Sequence, residues 1–139
     1  MLAHYTEFRH GSNMWPWRNF TPEEMACRCG CGEVFYDPLF MDDLQALRYD
    51  AGKPLHLNSC HRCELHNAAV GGAALSAHLE NAADIDLFGH DRKALAKAAS
   101  KIGFIGRGYY VNFLHLDKGG FFNRARFWFS GEQARELWA

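Results

Sequence analysis

Apolar residues recur at helical spacing in the first half of the chain. Phe40, Leu44 and Leu47 lie three or four positions apart and follow the start signal Asp37-Pro38. This pattern predicts an amphipathic helix that runs to about residue 49. Further upstream, residues 21–24 (Thr-Pro-Glu-Glu) have the form of a capping box with proline at the first helical position, so a short helix should begin there.

A second amphipathic stretch lies in the second half of the chain. Asp91 is expected to cap this helix and Gly103 to end it. Its predicted apolar face consists of Leu95, Ala98, Ala99 and Ile102. Weaker signals predict a helical turn at residues 66–70 and a C-terminal helix at residues 131–139.

Short runs of apolar and alternating residues predict strands between these helices. The predicted strands cover residues 55–58, 82–88, 109–111, 113–117 and 126–129, and the last three are expected to be antiparallel. The sequence therefore predicts an α+β fold, with a central antiparallel sheet flanked by helices. We expect a single small domain at residues 21–139, preceded by an irregular segment at residues 1–20.

Composition and charge narrow the class of protein. The chain has 139 residues, 48% of them hydrophobic and 22% charged, as in an ordinary globular domain. The net charge of −1 gives no indication of nucleic-acid binding. No apolar run approaches the roughly 20 residues of a membrane span. The N-terminus does not look like a signal peptide, so we expect synthesis in the cytoplasm and delivery by another route.

The cysteines fall into two clusters, and their pattern leaves alternatives open. Cys27, Cys29 and Cys31 form one cluster, and Cys60 and Cys63 form the other. Four of these thiolates would suit a structural zinc ion, which would be a second metal in addition to the catalytic one considered below. Reduced thiols or one disulfide between the clusters fit the same pattern, and the odd count argues against a pure disulfide framework.

Two histidines and one aspartate are the most informative residues in the sequence. His78, Asp84 and His115 offer three ligands for one divalent metal, most readily zinc, and leave a fourth position open for water, as in catalytic zinc sites. Strand geometry supports this reading. In the 113–117 strand, Leu114 and Leu116 face one side while His115 and Asp117 face the other.

Several ordered motifs then give the chain a family resemblance. They are 58–67 (NSCHRCELHN), 69–72 (AVGG), 76–79 (SAHL), 82–85 (AADI), 103–104 (GF) and 113–117 (FLHLD). Together they resemble the LAS superfamily of zinc D-alanyl-D-alanine carboxypeptidases and endopeptidases, which cut peptidoglycan peptides, and in particular its short phage and prophage branch. The resemblance extends from about residue 20 to residue 120. It implies a LAS/Hedgehog-like fold and zinc as cofactor.

The resemblance also implies roles for individual residues. The zinc ligands of the family correspond to His78, Asp84 and His115. The arginine that holds the substrate carboxylate, or polarises the scissile carbonyl, corresponds to Arg62. We further expect Ser76 and Tyr110 to line the substrate cleft.

Two departures from the family pattern affect these assignments. Asp84 comes one position earlier than in the His-x6-Asp pattern, and Asp86, one position late on the same strand face, is the alternative ligand. Asn112 replaces the acidic base that many relatives carry. Asp117 is therefore our candidate general base, with orientation of His115 as its alternative role. Glu80 is a weaker candidate base.

The sequence thus predicts a zinc peptidase that hydrolyses stem or cross-bridge peptides of peptidoglycan. The resemblance suggests a phage endolysin or a tail-associated enzyme, with phage tail proteins as further partners and with action on the cell wall. The alternative is a non-catalytic cell-wall-binding or virion structural module that retains the zinc peptidase fold.

Overall fold

The computed structural model describes residues 1–139 apart from the side chain of Phe122. The strands are β1 (Leu2–His4), β2 (Glu33–Phe35), β3 (Leu57–Ser59), β4 (Ala82–Asp86), β5 (Gly106–Tyr109), β6 (Phe113–Asp117) and β7 (Arg126–Phe129). The α-helices are α1 (Pro22–Met25), α2 (Pro38–Ala51), α3 (Glu64–Ala69), α4 (Arg92–Ile102) and α5 (Glu132–Leu137). Three short 3-10 helices complete the chain at Tyr5–Glu7, Ala77–Leu79 and Gly120–Phe122. The predicted α+β class is confirmed.

The main sheet has five strands in the order β3-β4-β6-β5-β7, and a separate ribbon pairs β1 with β2. Neighbours from β3 to β5 are antiparallel, as predicted, but β7 runs parallel to β5. The prediction of an antiparallel 126–129 strand was therefore wrong. Both sides of β6 are already occupied by β4 and β5, so the returning chain pairs at an outer edge of the sheet, here that of β5. The chain reverses direction between β6 and β7, and β5 is itself antiparallel to β6. Strand β7 therefore runs parallel to β5.

Local capping signals determine the helix ends. Asp37 accepts a hydrogen bond from Leu39 N at the start of α2, and Gly52 ends that helix at φ 68°, a left-handed conformation that favours glycine. Asp91 caps α4 through Ala94 N, and Gly103 follows its last turn. The Thr21 capping box forms with Glu24. The predicted starts at Thr21, Asp37 and Asp91 and the predicted stop at Gly103 agree with the structure because each depends on neighbouring residues alone.

The first twenty residues differ from the predicted irregular segment. They contain β1, which pairs with β2, and a 3-10 helix. Trp15, Trp17 and Phe20 are buried in the same hydrophobic core as α2 and the main sheet. Trp15 Nε1 donates to the Phe20 carbonyl at 2.7 Å, which satisfies the indole N–H inside this core.

Strands β4 and β6 bring the predicted ligands to one face of the main sheet. Leu114, Leu116 and Ile85 are fully buried in the hydrophobic core. Alternation then directs Asp84 and His115 to the opposite face, where the antiparallel register pairs them directly across the two strands. None of the helices in the described part of the chain is long and apolar enough to cross a membrane.

Candidate metal centre and cleft

Three of the predicted ligands converge on one point. Donor atoms of His78, Asp84 and His115 lie within 4.8 Å of one another. His78 Nε2 is 3.2 Å from Asp84 Oδ2, and His115 Nδ1 is 2.9 Å from Asp84 Oδ1. For metal–ligand bonds of about 2.0 Å, a tetrahedral site requires its donor atoms to be about 3.3 Å apart. The spacing therefore suits a zinc-sized cation.

The hydrogen bonds around the histidines determine which ring nitrogens face this point. His78 Nδ1 donates to the Cys60 carbonyl at 2.5 Å, which leaves Nε2 as the acceptor of a neutral ring. His115 Nε2 donates to Asp117 at 2.6 Å, which leaves Nδ1 as the acceptor. Two bare nitrogens and a carboxylate then face one another. Such acceptors repel unless a cation lies between them, so the donor set fits a bound metal.

The charge of the Asp84 carboxylate also favours a cation at this site. Asp84 is largely buried, which alone would raise its pKa, but when no metal is bound and the neighbouring His115 and His78 rings carry the proton instead, they hold the pKa of that carboxyl well below its usual range. The Asp84 side chain therefore favours its ionised form. An anionic ligand between two imidazoles favours a divalent metal.

Of the two aspartates on β4, the structure brings only Asp84 to the histidines. Asp86 also projects from β4, but its Oδ1 accepts a hydrogen bond from Phe88 N at 2.8 Å and caps the turn after the strand. The 3-10 helix Ala77–Leu79 places His78 beside Asp84 despite the shortened spacing.

The metal-facing side of the triad opens into a cleft. This cleft of about 510 Å³ is lined by His78, Asp84 and His115 together with ten further residues. Those ten are Arg62, Gly72, Ala73, Leu75, Ser76, Ala77, Tyr110, Phe113, Arg126 and Trp128. Three protein ligands beside an open cleft leave a coordination position for water or substrate, as catalytic zinc sites require.

The comparison with known families agrees with this geometry. Residues 18–117 match the family model described as Peptidase M15, which is more than half of the chain. The chain belongs to the peptidase M15 family. A search of curated proteins found no match. The matched region contains the triad and Arg62, and the predicted resemblance to the LAS-type zinc peptidases of peptidoglycan is confirmed at the level of the superfamily.

In this M15 peptidase, Asp117 lies on the side of the His115 ring that faces away from Asp84 and the candidate metal position. It is 0% exposed, and its carboxylate accepts hydrogen bonds from His115 Nε2, from Gly119 N at 2.7 Å and from both Arg126 nitrogens at 3.1 and 2.8 Å. Gly106 on β5 leaves room for this group, since a Cβ at that position would overlap the carboxylate. This geometry favours the orienting role over that of the predicted general base, because Asp117 does not line the cleft and contacts it only through His115 and Arg126.

Arg62 projects into the same cleft from the segment after β3. Its Nη1 donates to Asn67 Oδ1 at 3.0 Å, and its backbone N donates to the His78 carbonyl at 2.6 Å. The buried Nε has no hydrogen-bond partner among the described residues. Glycine at position 72 leaves space for the hydrogen-bonded Arg62 and Asn67 side chains, since a Cβ there would overlap the Asn67 carboxamide. The guanidinium is thus held in place by Asn67, while some of its N–H groups make no hydrogen bond to the described residues.

The cleft walls agree in part with the sequence predictions. Ser76 lines the cleft and accepts from His78 N at 3.2 Å, so it also caps the 3-10 helix. Tyr110 lines it too, stacked on Phe113 at 4.1 Å between ring centroids and accepting from Trp128 Nε1 at 3.2 Å. The neighbouring Tyr109 packs against Phe129 and Trp138 and does not line the cleft.

The structure divides the cysteines differently from the sequence clusters. The sulfurs of Cys27, Cys29, Cys31 and Cys63 meet at one place. Cys60 is fully buried apart from them, and burial raises the pKa of its thiol to about 12. All five are free cysteines.

Sequence reasoning missed Arg126 and Trp128. Both lie on β7 and line the cleft, and the Trp128 ring is 5.2 Å from the His115 ring. Their alternation with Phe127 indicated a strand, but nothing local indicated that β7 would pair beside β5. Without this pairing, the sequence offered no sign that Arg126 would meet Asp117.

Proposed function

We propose that this M15 peptidase is a carboxypeptidase that removes a C-terminal residue from peptidoglycan stem peptides. The observation that carries the proposal is the joint presence of the triad and the free Arg62 donor on one cleft. A bound zinc would supply Lewis-acid chemistry and a nucleophilic water at neutral pH. His78, Asp84 and His115 would hold it.

Arg62 provides the argument for a substrate with a free carboxylate. Its guanidinium is fixed by Asn67, faces the cleft and has no carboxylate partner within ion-pair distance among the described residues. A planar cationic fork with unused donors suits a carboxylate. Arg126, the other cleft arginine, already binds Asp117 and is less available for substrate.

The aromatic wall would orient the peptide backbone. Tyr110, Phe113 and Trp128 form one side of the cleft beside His115. These rings remove water from the reacting carbonyl, and their flat faces suit small side chains such as that of alanine. The Tyr110 hydroxyl, which accepts from Trp128, retains a proton to donate to a substrate oxygen.

We propose that Asp117 acts as a positioning residue. It holds His115 in the tautomer that directs Nδ1 towards the metal, and Arg126 and the Gly119 amide hold Asp117 in turn. Such buried partners of a ligating histidine tune metal affinity. Proton transfer from water would then require another group, and Asp84 is the only carboxylate among the described residues that line the cleft.

That shortage of carboxylates favours a second candidate function. A cell-wall-binding or virion structural module would need the fold, the metal and Arg62, but no general base. Asn112 stands where many relatives carry an acid, which fits this reading. The resemblance to the phage branch supports either role at the bacterial wall, during lysis or entry.

One experiment separates the two functions. Zinc-loaded protein is incubated with purified sacculi and with synthetic stem peptides that end in a free carboxylate or in an amide. Release of the terminal residue from the free acid alone supports the carboxypeptidase. Cleavage inside both peptides would support an endopeptidase. Binding to sacculi without any new product would support the module. The His78→Ala/His115→Ala variant is the control for metal-dependent cleavage.

A further inference from the structure

A second group of metal-binding side chains lies outside the cleft. The sulfurs of Cys27, Cys29, Cys31 and Cys63 all lie within 4.8 Å of one another. Cys27, Cys29 and Cys31 come from the loop between α1 and β2, and Cys63 comes from the N-terminus of α3. The fold thus brings together two segments that are more than thirty residues apart in the sequence.

The distances between the sulfurs suit a tetrahedral metal. Zinc–thiolate bonds of about 2.3 Å require sulfurs about 3.8 Å apart at the corners of a tetrahedron. Cys27 Sγ lies 3.5 Å from Cys29 Sγ, which in turn lies 3.8 Å from Cys63 Sγ. A disulfide would require about 2.05 Å. The four thiols are therefore spaced for a shared ion rather than for a bond between two of them.

Backbone amides point at the sulfurs of this cluster. Cys63 N donates to Cys27 Sγ at 3.3 Å, Glu33 N to Cys31 Sγ at 3.4 Å and His66 N to Cys63 Sγ at 3.4 Å. Amide donors stabilise the negative charge of a thiolate, which is the form that binds metal. Gly30 and Gly32, at φ 90° and 80°, let the loop turn tightly between its cysteines.

We propose that Cys27, Cys29, Cys31 and Cys63 bind a structural zinc ion, separate from the ion of the cleft. Four protein ligands close the coordination sphere, so this ion would have no open position for substrate. Cys60, which belongs to the same sequence cluster as Cys63, is not a ligand. Its sulfur is fully buried and lies 4.0 Å from Arg28 Nη2.

The site would fix the position of Arg62. Cys63 follows Arg62 directly and caps α3 by accepting from His66 N. A metal bond at Cys63 would tie this turn to the 27–31 loop, and β2 then continues from that loop into the pairing with β1. Loss of the ion should therefore weaken substrate binding through Arg62 while the triad keeps its own metal.

Metal analysis and X-ray absorption of purified protein test the proposal. Wild-type protein made in a reducing cytosol should contain about two zinc ions per chain, with sulfur and nitrogen or oxygen ligands together. The His78→Ala/His115→Ala variant should keep about one, with a purely sulfur shell at about 2.3 Å. Cys29→Ser/Cys31→Ser should also keep about one, but without sulfur ligands, and Cys60→Ser should keep both.

The histidine variant decides the matter even if the cysteine variant does not fold. A folded histidine variant without zinc, or with zinc that has no sulfur ligands, would overturn the proposal. So would a disulfide among the four cysteines of fresh wild-type protein. If the sulfur-bound ion is present and the wild type cleaves no peptide, the proposed peptidase function fails while this inference stands.

Discussion

His115 Nε2 donates to Asp117 at 2.6 Å, and Asp117 is entirely inaccessible to solvent. The imidazole of His115, a proposed zinc ligand, is thus held on its far side by a carboxylate that has no exposed surface. Arg126 on β7 completes the arrangement by binding both oxygens of Asp117. Strand β7, which pairs parallel to β5, therefore supports the geometry of the metal centre.

Asp117→Asn should weaken zinc binding. The amide oxygen can still accept from His115 Nε2. The negative charge of the Asp117 carboxylate, which stabilises the His115 imidazole and binds Arg126, is lost. We expect zinc affinity to fall about 10- to 100-fold and excess zinc to restore activity. Activity measured across a zinc titration checks this. A loss of about 10²- to 10⁴-fold in turnover at saturating zinc would instead indicate a general base.

Asp84→Ala should abolish zinc binding by the triad, because it removes the carboxylate that lies between the two imidazoles. Asp86→Ala is the matched control on the same strand face. It removes only the cap on Phe88 N and should leave zinc content unchanged. Elemental analysis of both variants in the Cys29→Ser/Cys31→Ser background isolates the site. The opposite pattern would make Asp86 the ligand.

Arg62→Ala should raise KM for a stem peptide with a free carboxylate and leave the binding of the amidated peptide, measured as inhibition of that cleavage, unaffected. A hydrogen bond to a charged group contributes about 1.5–3 kcal/mol, which corresponds to about a 10- to 150-fold change in KM. Arg62→Lys should recover only part of this, because lysine lacks the planar fork. Equal losses on both peptides would contradict recognition of the carboxylate and favour a role at the scissile carbonyl.

Trp15→Ala should destabilise the whole domain, although Trp15 lies outside the predicted 21–139 region. Its side chain is 0% exposed and packs in the shared core. Removal of a buried large aromatic costs about 3–5 kcal/mol of unfolding free energy. Met14→Ala is the control, since Met14 is 58% exposed and should change stability by less than about 0.5 kcal/mol. Denaturant unfolding measures both. A negligible effect of Trp15→Ala would support the predicted boundary at residue 21.

The sequence alone determined the features that depend on neighbouring residues. The caps at Asp37 and Asp91, the glycine stops and the alternation of Leu114 and Leu116 with His115 and Asp117 follow from local backbone geometry. The ordered motifs also predicted the superfamily, which the family match confirms.

Only the tertiary structure decided the choices between chemically equivalent residues. Asp84 and Asp86 share one strand face, so the position of His78 and the register across to His115 determine which of them meets the histidines. Cys60 and Cys63 differ in the same way, because the turn after β3 directs one sulfur into the core and the other to the 27–31 loop. Such choices depend on contacts between distant segments, which no local pattern encodes.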